Sequence, residues 1–158
     1  MEIRTLQKRV SNAQAVMNER GIDFLFVAPS ADLIYLMGLN SHASERLALL
    51  IIPKSGKSTF VTPVLERSRA FGKEDLVDVR TWEETEQPVE LVREIVSGVK
   101  NPSIAVSDQM RAGFLVRMLE QIPDASFSSA TGIIRELRMV KDAEEIENLK
   151  RAAAMADA

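Results

Sequence analysis

Between Gly21 and Pro29 the chain runs Ile22-Asp23-Phe24-Leu25-Phe26-Val27-Ala28, a short apolar stretch with almost no alternation. A strand with one wet face alternates apolar and polar residues, so a run like this reads as a strand buried on both faces of a sheet. Such a strand needs helices above and below it, which narrows the fold to a layered α/β arrangement. The preceding segment supplies the first of them. Ile3, Leu6, Val10, Ala13 and Met17 recur at helical spacing with Arg, Lys and Gln between them, and Gly21 stands where a left-handed cap closes a helix. The seam spans only about two heptads, which suits a helix facing its own core better than a coiled-coil strand.

The rest of the chain continues the pattern. Ser30 is placed to cap a second helix, Asp32 complements its positive end, and Gly38 ends it. Leu47 to Pro53 and Ser58 to Thr62 read as strands joined by Lys54-Ser55-Gly56-Lys57, with glycine where a hairpin needs positive φ. This places an antiparallel pair inside a mixed sheet. Val64 to Phe71 reads as a helix stopped by Gly72, and Leu76 to Trp82 as a strand. Pro88 opens a helix over Val89 to Val99, with Glu83-Glu84-Thr85-Glu86-Gln87 as the solvated lead into it. Ile104 to Val106 is a short strand, Phe114 to Ile122 a helix, and Phe127 marks a last strand. The predicted fold is therefore a three-layer α/β domain whose mixed, mostly buried central sheet is flanked by helices.

At 158 residues, with 46% hydrophobic and 27% charged residues, the chain is long enough for one core and too short for two independent ones. A net charge of -3 with interspersed signs, and a single Trp and Tyr, give neither a basic face nor stacking platforms for nucleic acid. The longest apolar run, Leu47 to Ile52, is far below the length of a membrane span, and Met1-Glu2-Ile3-Arg4 opens no signal peptide. The expected address is therefore cytoplasmic, and the absence of cysteine fits a reducing compartment.

Few residues are equipped for chemistry. Hydrolytic zinc sites use several histidines, and His42 is the only one here. Glu83-Glu84-Thr85-Glu86 is the nearest approach to a carboxylate site and reads better as solvated loop. No Gly-x-Ser-x-Gly elbow exists to present a serine nucleophile. Gly56-Lys57-Ser58 resembles the end of a phosphate loop, but Ile51 stands where the earlier glycine belongs and a strand follows instead of a helix. Two groups remain. Asn40-Ser41-His42-Ala43-Ser44 is a polar loop beyond a helix end, where ligand contacts concentrate, although a lone loop histidine is usually just solvated. Glu45-Arg46 precedes a buried strand and reads equally well as a structural ion pair or as an Arg offered to a carboxylate.

Beyond Arg138 to Lys141, the one boundary the sequence suggests, Asp142 and Glu145 have the spacing of a helix cap. Ile146, Leu149, Ala153 and Ala156 form one apolar edge of the helix they start, which either packs back on this domain or awaits another surface. With no closing Gly or Pro, the stop at Ala158 reads as a truncation.

Four segments in order carry a family likeness: Gly21-Ile22-Asp23; Asp32-Leu33-Ile34-Tyr35-Leu36-Met37-Gly38; Glu45-Arg46; and Ile134-Arg135-Glu136-Leu137-Arg138-Met139-Val140-Lys141 with Glu144-Glu145-Ile146. Together they resemble the amino-terminal domain of the creatinase / Xaa-Pro aminopeptidase / prolidase family, the pita-bread metallopeptidases. The sequence departs at Met37 and Leu39, where the family more often has a small hydroxyl residue and an aromatic.

The resemblance implies a domain of ribonuclease H-like motif over residues 1–138, with 139–158 as linker and first helix of a missing pita-bread catalytic domain. That second domain would hold two divalent metal ions (Mn, Co or Zn) through Asp, Asp, His, Glu and Glu, none supplied by this chain. The implied parent is a homodimeric Xaa-Pro dipeptidase or aminopeptidase P acting on proline-containing peptides. This half would be non-catalytic, with Asn40, His42 and Arg46 on the rim that restricts the active-site entrance. Two alternatives stand beside it: the same domain of a creatinase-type amidinohydrolase, and an autonomous protein–protein interaction module of a catalytically dead relative.

Overall fold

A computed structural model describes residues 2–157. Helix α1 (Ile3–Glu19) turns through Gly21, at φ +66°, into strand β1 (Phe24–Val27), all four of whose residues are buried. Helix α2 (Ala31–Met37) follows, then the hairpin of β2 (Leu49–Pro53) and β3 (Ser58–Pro63), and strand β4 (Val77–Trp82). Helix α3 (Pro88–Val96), β5 (Ser103–Val106), α4 (Ala112–Gln121) and β6 (Ser126–Ser129) complete the sheet region. Helices α5 (Thr131–Met139) and α6 (Ala143–Ala156) end the described chain.

The strands form one sheet in the order β4-β3-β2-β1-β5-β6. β2 runs antiparallel to both its neighbours, β1 and β3, while the β3–β4, β1–β5 and β5–β6 pairs are parallel. The mixed sheet expected from the hairpin is thus present, with the predicted buried strand in its middle. Alternate residues of β1 serve opposite cores. Leu25 and Val27 join α1, α2 and α5 through Leu6, Met17, Leu33, Leu36 and Ile133. Phe24 and Phe26 join α3 and α4 through Val89, Val92, Val96 and Met118. The chain is a three-layer α/β domain.

Local chemistry accounts for the boundaries. The Ser30 hydroxyl accepts from the Asp32 N–H at 3.2 Å and starts α2, and Gly38, at φ +66°, ends it with its N–H on the Ile34 carbonyl. Gly38 also meets the Leu6 side chain so closely that an added Cβ would lie 3.2 Å from it. In the hairpin, Gly56 sits at φ +87° as the turn requires.

Three elements differ from the sequence reading. Val64–Ala70 is a 3₁₀ helix, because the short connection from β3 to parallel β4 must turn within a few residues, leaving Leu65 and Phe71 exposed. Helix α5, which the sequence pattern does not separate from the boundary region, packs Ile133, Ile134 and Leu137 onto the α1 side. The predicted α3 is also shorter, ending at Val96.

At the lower end of the sheet Asp23 ties three strands together. Its carboxylate accepts from Lys54 Nζ at 2.7 Å and from the Ser103 N–H at 3.0 Å, joining the start of β1 to the end of β2 and the start of β5. The Lys54 hydrogen bond, and then the Ser103 N–H, hold Asp23 below its usual carboxylate pKa against the opposing effect of burial.

Two outcomes follow from this packing. Phe26→Ala, at a side chain with no solvent exposure, is expected to lower unfolding free energy by about 3–5 kcal/mol, read as a shifted urea midpoint at constant slope. Because the folded pKa of Asp23 is depressed, its contribution is complete above the unfolded value of about 3.9. It is lost as pH falls through the lower folded value. Asp23→Asn is expected to flatten that acid limb in a stability-versus-pH series.

Candidate functional site

The carboxyl ends of parallel strands β1 and β5 lie side by side, and the chain leaves them in opposite directions. After β1 it enters α2, in the first core; after β5 it enters α4, in the second. This divergence is a topological switch point, where open α/β sheets characteristically present a crevice. Ser107 pins it: its buried hydroxyl accepts from the Ala28 N–H at 3.0 Å, and its own N–H donates to the Phe26 carbonyl at 2.9 Å.

Two depressions open around this point. The larger is a groove of about 740 Å³ bounded by Asp32, Asp108, Ile134, Arg138, Glu145 and Leu149, so that α6 forms one of its walls. The smaller is a recess lined by Pro29, Ser44, Arg46, Met110, Arg111 and Phe114. Of the predicted rim residues Arg46 lines the recess, and none of the three lines the larger groove.

Asn40 and His42 are exposed on the loop between α2 and β2, with buried Ser41 between them. Arg46 resolves the alternatives left by the sequence. Its Nε donates to Glu84 Oε1 at 2.6 Å, and its guanidinium lies 3.8 Å from Glu45. Arg46 is therefore ion-paired, and Glu84 of the acidic turn is its main partner. The Ser44 hydroxyl accepts from the Arg46 N–H at 3.1 Å and holds the loop against the start of β2. The structure brings Arg46 to the recess with Arg111 and Phe114; Asn40 and His42 are its neighbours in the chain alone. The residues that depart from the family pattern, Met37 and Leu39, point into the core, at 0% and 8% exposure, and offer nothing to a ligand.

The larger groove is built from residues that sequence reasoning did not assign to a site. Arg138 pairs with Asp32 across the α5–α2 gap. The Thr131 hydroxyl donates to the Asp108 carboxylate at 2.8–2.9 Å, and so does the Ser129 hydroxyl at 2.9 Å. Beneath α6 lies Arg9, whose side chain is 8% exposed and reaches Asp142 Oδ2 at 3.2 Å and Glu145 Oε1 at 3.1 Å. The sequence carried a signal for it, since Arg9 falls on the buried stripe of α1 beside Leu6, Val10 and Ala13. A cation at an interior helical position calls for a carboxylate elsewhere in the fold.

Among the described residues no three His, Asp or Glu side chains gather where a metal ion could sit. The residues present do not fit a two-metal hydrolytic site, and no step of bond cleavage is assigned to them. Among the same residues no helix is long and apolar enough to cross a membrane.

Family comparison agrees with this architecture. The profile of the Creatinase/Prolidase N-terminal domain matches residues 9–140. The chain belongs to that family. It is 31% identical over 153 residues to a Mycobacterium tuberculosis protein named Probable dipeptidase PepE, covering 95% of this chain and 40% of that protein. The crystal structure of Dipeptidase PepE from Mycobacterium ulcerans superposes with a TM-score of 0.91 at 33% identity, over 99% of this chain and 43% of the other. A recombinant prolidase from Thermococcus sibiricus gives 0.88 at 26% identity, over 99% and 42%. This Creatinase/Prolidase N-terminal domain thus spans about two-fifths of the relatives it matches. A structure of the corresponding domain of an X-Pro dipeptidase from Streptococcus pyogenes shares the fold at a TM-score of 0.71, and 98% of that shorter chain is matched.

The exposed geometry of the Arg46 pair sets its energetic weight. Both partners are more than a third exposed, so Arg46→Ala is expected to cost less than about 1 kcal/mol of stability. Thermal denaturation of the chain checks this.

Proposed function

We propose that this chain is the non-catalytic amino-terminal domain of a metal-dependent Xaa-Pro peptidase, of dipeptidase or aminopeptidase P type. In this reading it contributes to dimerisation and narrows the active-site entrance. The observation that carries the proposal is one of proportion: nearly the whole chain aligns with dipeptidase relatives while covering only 40% of their length. A peptidase of that size leaves most of its residues for a second domain.

Residues 1–138 are the domain proper and 139–158 the linker and first helix of the catalytic domain. Two features support this division. The family match ends at residue 140, and α6 buries none of its residues in the domain body. Ile146 and Leu149 stay 45% and 57% exposed, on an apolar edge suited to the continuation of the polypeptide. The two divalent ions and the activated water of hydrolysis belong to that continuation. The names dipeptidase and prolidase among the relatives support a peptidase over an amidinohydrolase.

Asn40, His42 and Arg46 are assigned to the entrance rim. They lie on the loop that precedes β2; Arg46 lines the recess at the switch point, and Asn40 and His42 are exposed. A rim acts on substrate length rather than on chemistry, so its removal alters discrimination.

In the longer protein, His42→Ala is expected to raise kcat/KM for a Xaa-Pro-Xaa tripeptide relative to a Xaa-Pro dipeptide. An unchanged ratio removes His42 from the rim. The 158-residue chain alone, supplied with Mn, Co or Zn, is expected to leave a Xaa-Pro dipeptide intact. Turnover by the purified chain would overturn the proposal.

A further inference from the structure

Among the described residues Arg9 is the one charged side chain that is buried. Its surroundings are built around it. Its Nη1 donates to the Tyr35 carbonyl at 3.1 Å, and the guanidinium carbon stands 4.2 Å from the centre of the Tyr35 ring. The opposite side of the fork meets two carboxylates, Asp142 at 3.2 Å and Glu145 at 3.1 Å. Tyr35 is held in turn, since its hydroxyl donates to the Leu137 carbonyl at 2.9 Å, in the last turn of α5.

The two carboxylates are already committed to one another's backbone. Asp142 Oδ1 accepts from the Glu145 N–H at 2.8 Å, and Glu145 Oε2 accepts from the Asp142 N–H at 2.9 Å, a complete capping box at the start of α6. Each carboxylate thus uses one oxygen to begin the helix and the other to meet Arg9. A cap made only to start a helix has no need of a buried cation from a helix more than a hundred residues earlier. Helix α6 buries no residue of its own against the body, so apolar packing does not set its direction. Arg9 joins its first turn to the core.

We propose that Arg9 is a positioning residue, which grips the capping box of α6 and fixes the direction in which that helix leaves the domain. The planar fork suits this task, because it meets two carboxylates and a carbonyl in set directions where a lysine offers a point charge. Helix α6 is one wall of the larger groove, so the same contact sets that groove's width. The consequence for a following catalytic domain rests on the peptidase reading: Arg9 would orient that domain against the rim. The grip itself does not depend on that reading.

The chain has no cysteine, so two nitroxides can be placed on it without background. With labels at Val116→Cys on α4 and Met155→Cys on α6, both exposed, electron–electron double resonance is expected to give one narrow distance. Arg9→Met should broaden it. The pair Asp142→Asn with Glu145→Gln preserves the cap's hydrogen-bonding shape while removing the charges, and should broaden it equally, which keeps the test decisive if Arg9→Met folds poorly. Hydrogen exchange should show the β1 amides still protected, while those of the first two turns of α6 lose protection by about tenfold or more. An unchanged narrow distance in the carboxylate pair, with α6 protection intact, overturns the proposal. Neither measurement involves peptide hydrolysis, so failure of the grip and failure of the peptidase reading are separable.

Discussion

Burial of β1 on both faces is the constraint from which the rest of this structure follows. A four-residue strand whose residues all lie out of water must satisfy its backbone through neighbours on each side, and β2 and β5 supply them. Its alternate side chains then demand two separate apolar layers, met by α1, α2 and α5 on one side and α3 and α4 on the other. Even the polar residue that begins the run serves this arrangement, since Asp23 bonds the two flanking strands at the point where β1 starts.

The same placement creates the switch point. With β5 parallel to β1 and their connections diverging to opposite layers, the space above their carboxyl ends has no helix to fill it. The domain uses that space twice, as a small recess beside Arg46 and as a larger groove beside α5 and α6. Arg46 of the proposed entrance rim lines the first. The second lies at the junction with α6, so one architectural feature underlies both the substrate-facing and the domain-joining roles proposed for this chain.

Arg9 shows why a domain of this kind tolerates a buried charge. An unpartnered guanidinium at that depth would be strongly unfavourable, whereas one meeting two carboxylates, a carbonyl and an aromatic face is compensated at every donor direction the structure records. Such a set is geometrically demanding in a way that apolar contact is not, which makes it suited to specifying orientation. The depressed pKa of Asp142 belongs to the same cluster. The Glu145 N–H is its largest cause, and Arg9 adds to it against the cost of burial.

Sequence by itself determined the layers. The uniform run at Ile22 to Ala28, the stripe on α1, the Ser30 and Gly38 caps, the hairpin at Gly56 and the capping box at Asp142 are all local patterns, and each was realised where it was read. The motifs at Asp32 to Gly38 and Ile134 to Lys141 pointed to the family for the same reason, being contiguous. What tertiary structure alone decided was which distant residues meet: Arg46 with Glu84, Arg138 with Asp32, and Arg9 with Asp142 across most of the chain. Periodicity reports which face of an element turns inward and carries no information about the partner waiting there. The order of the strands in the sheet supplies that partner.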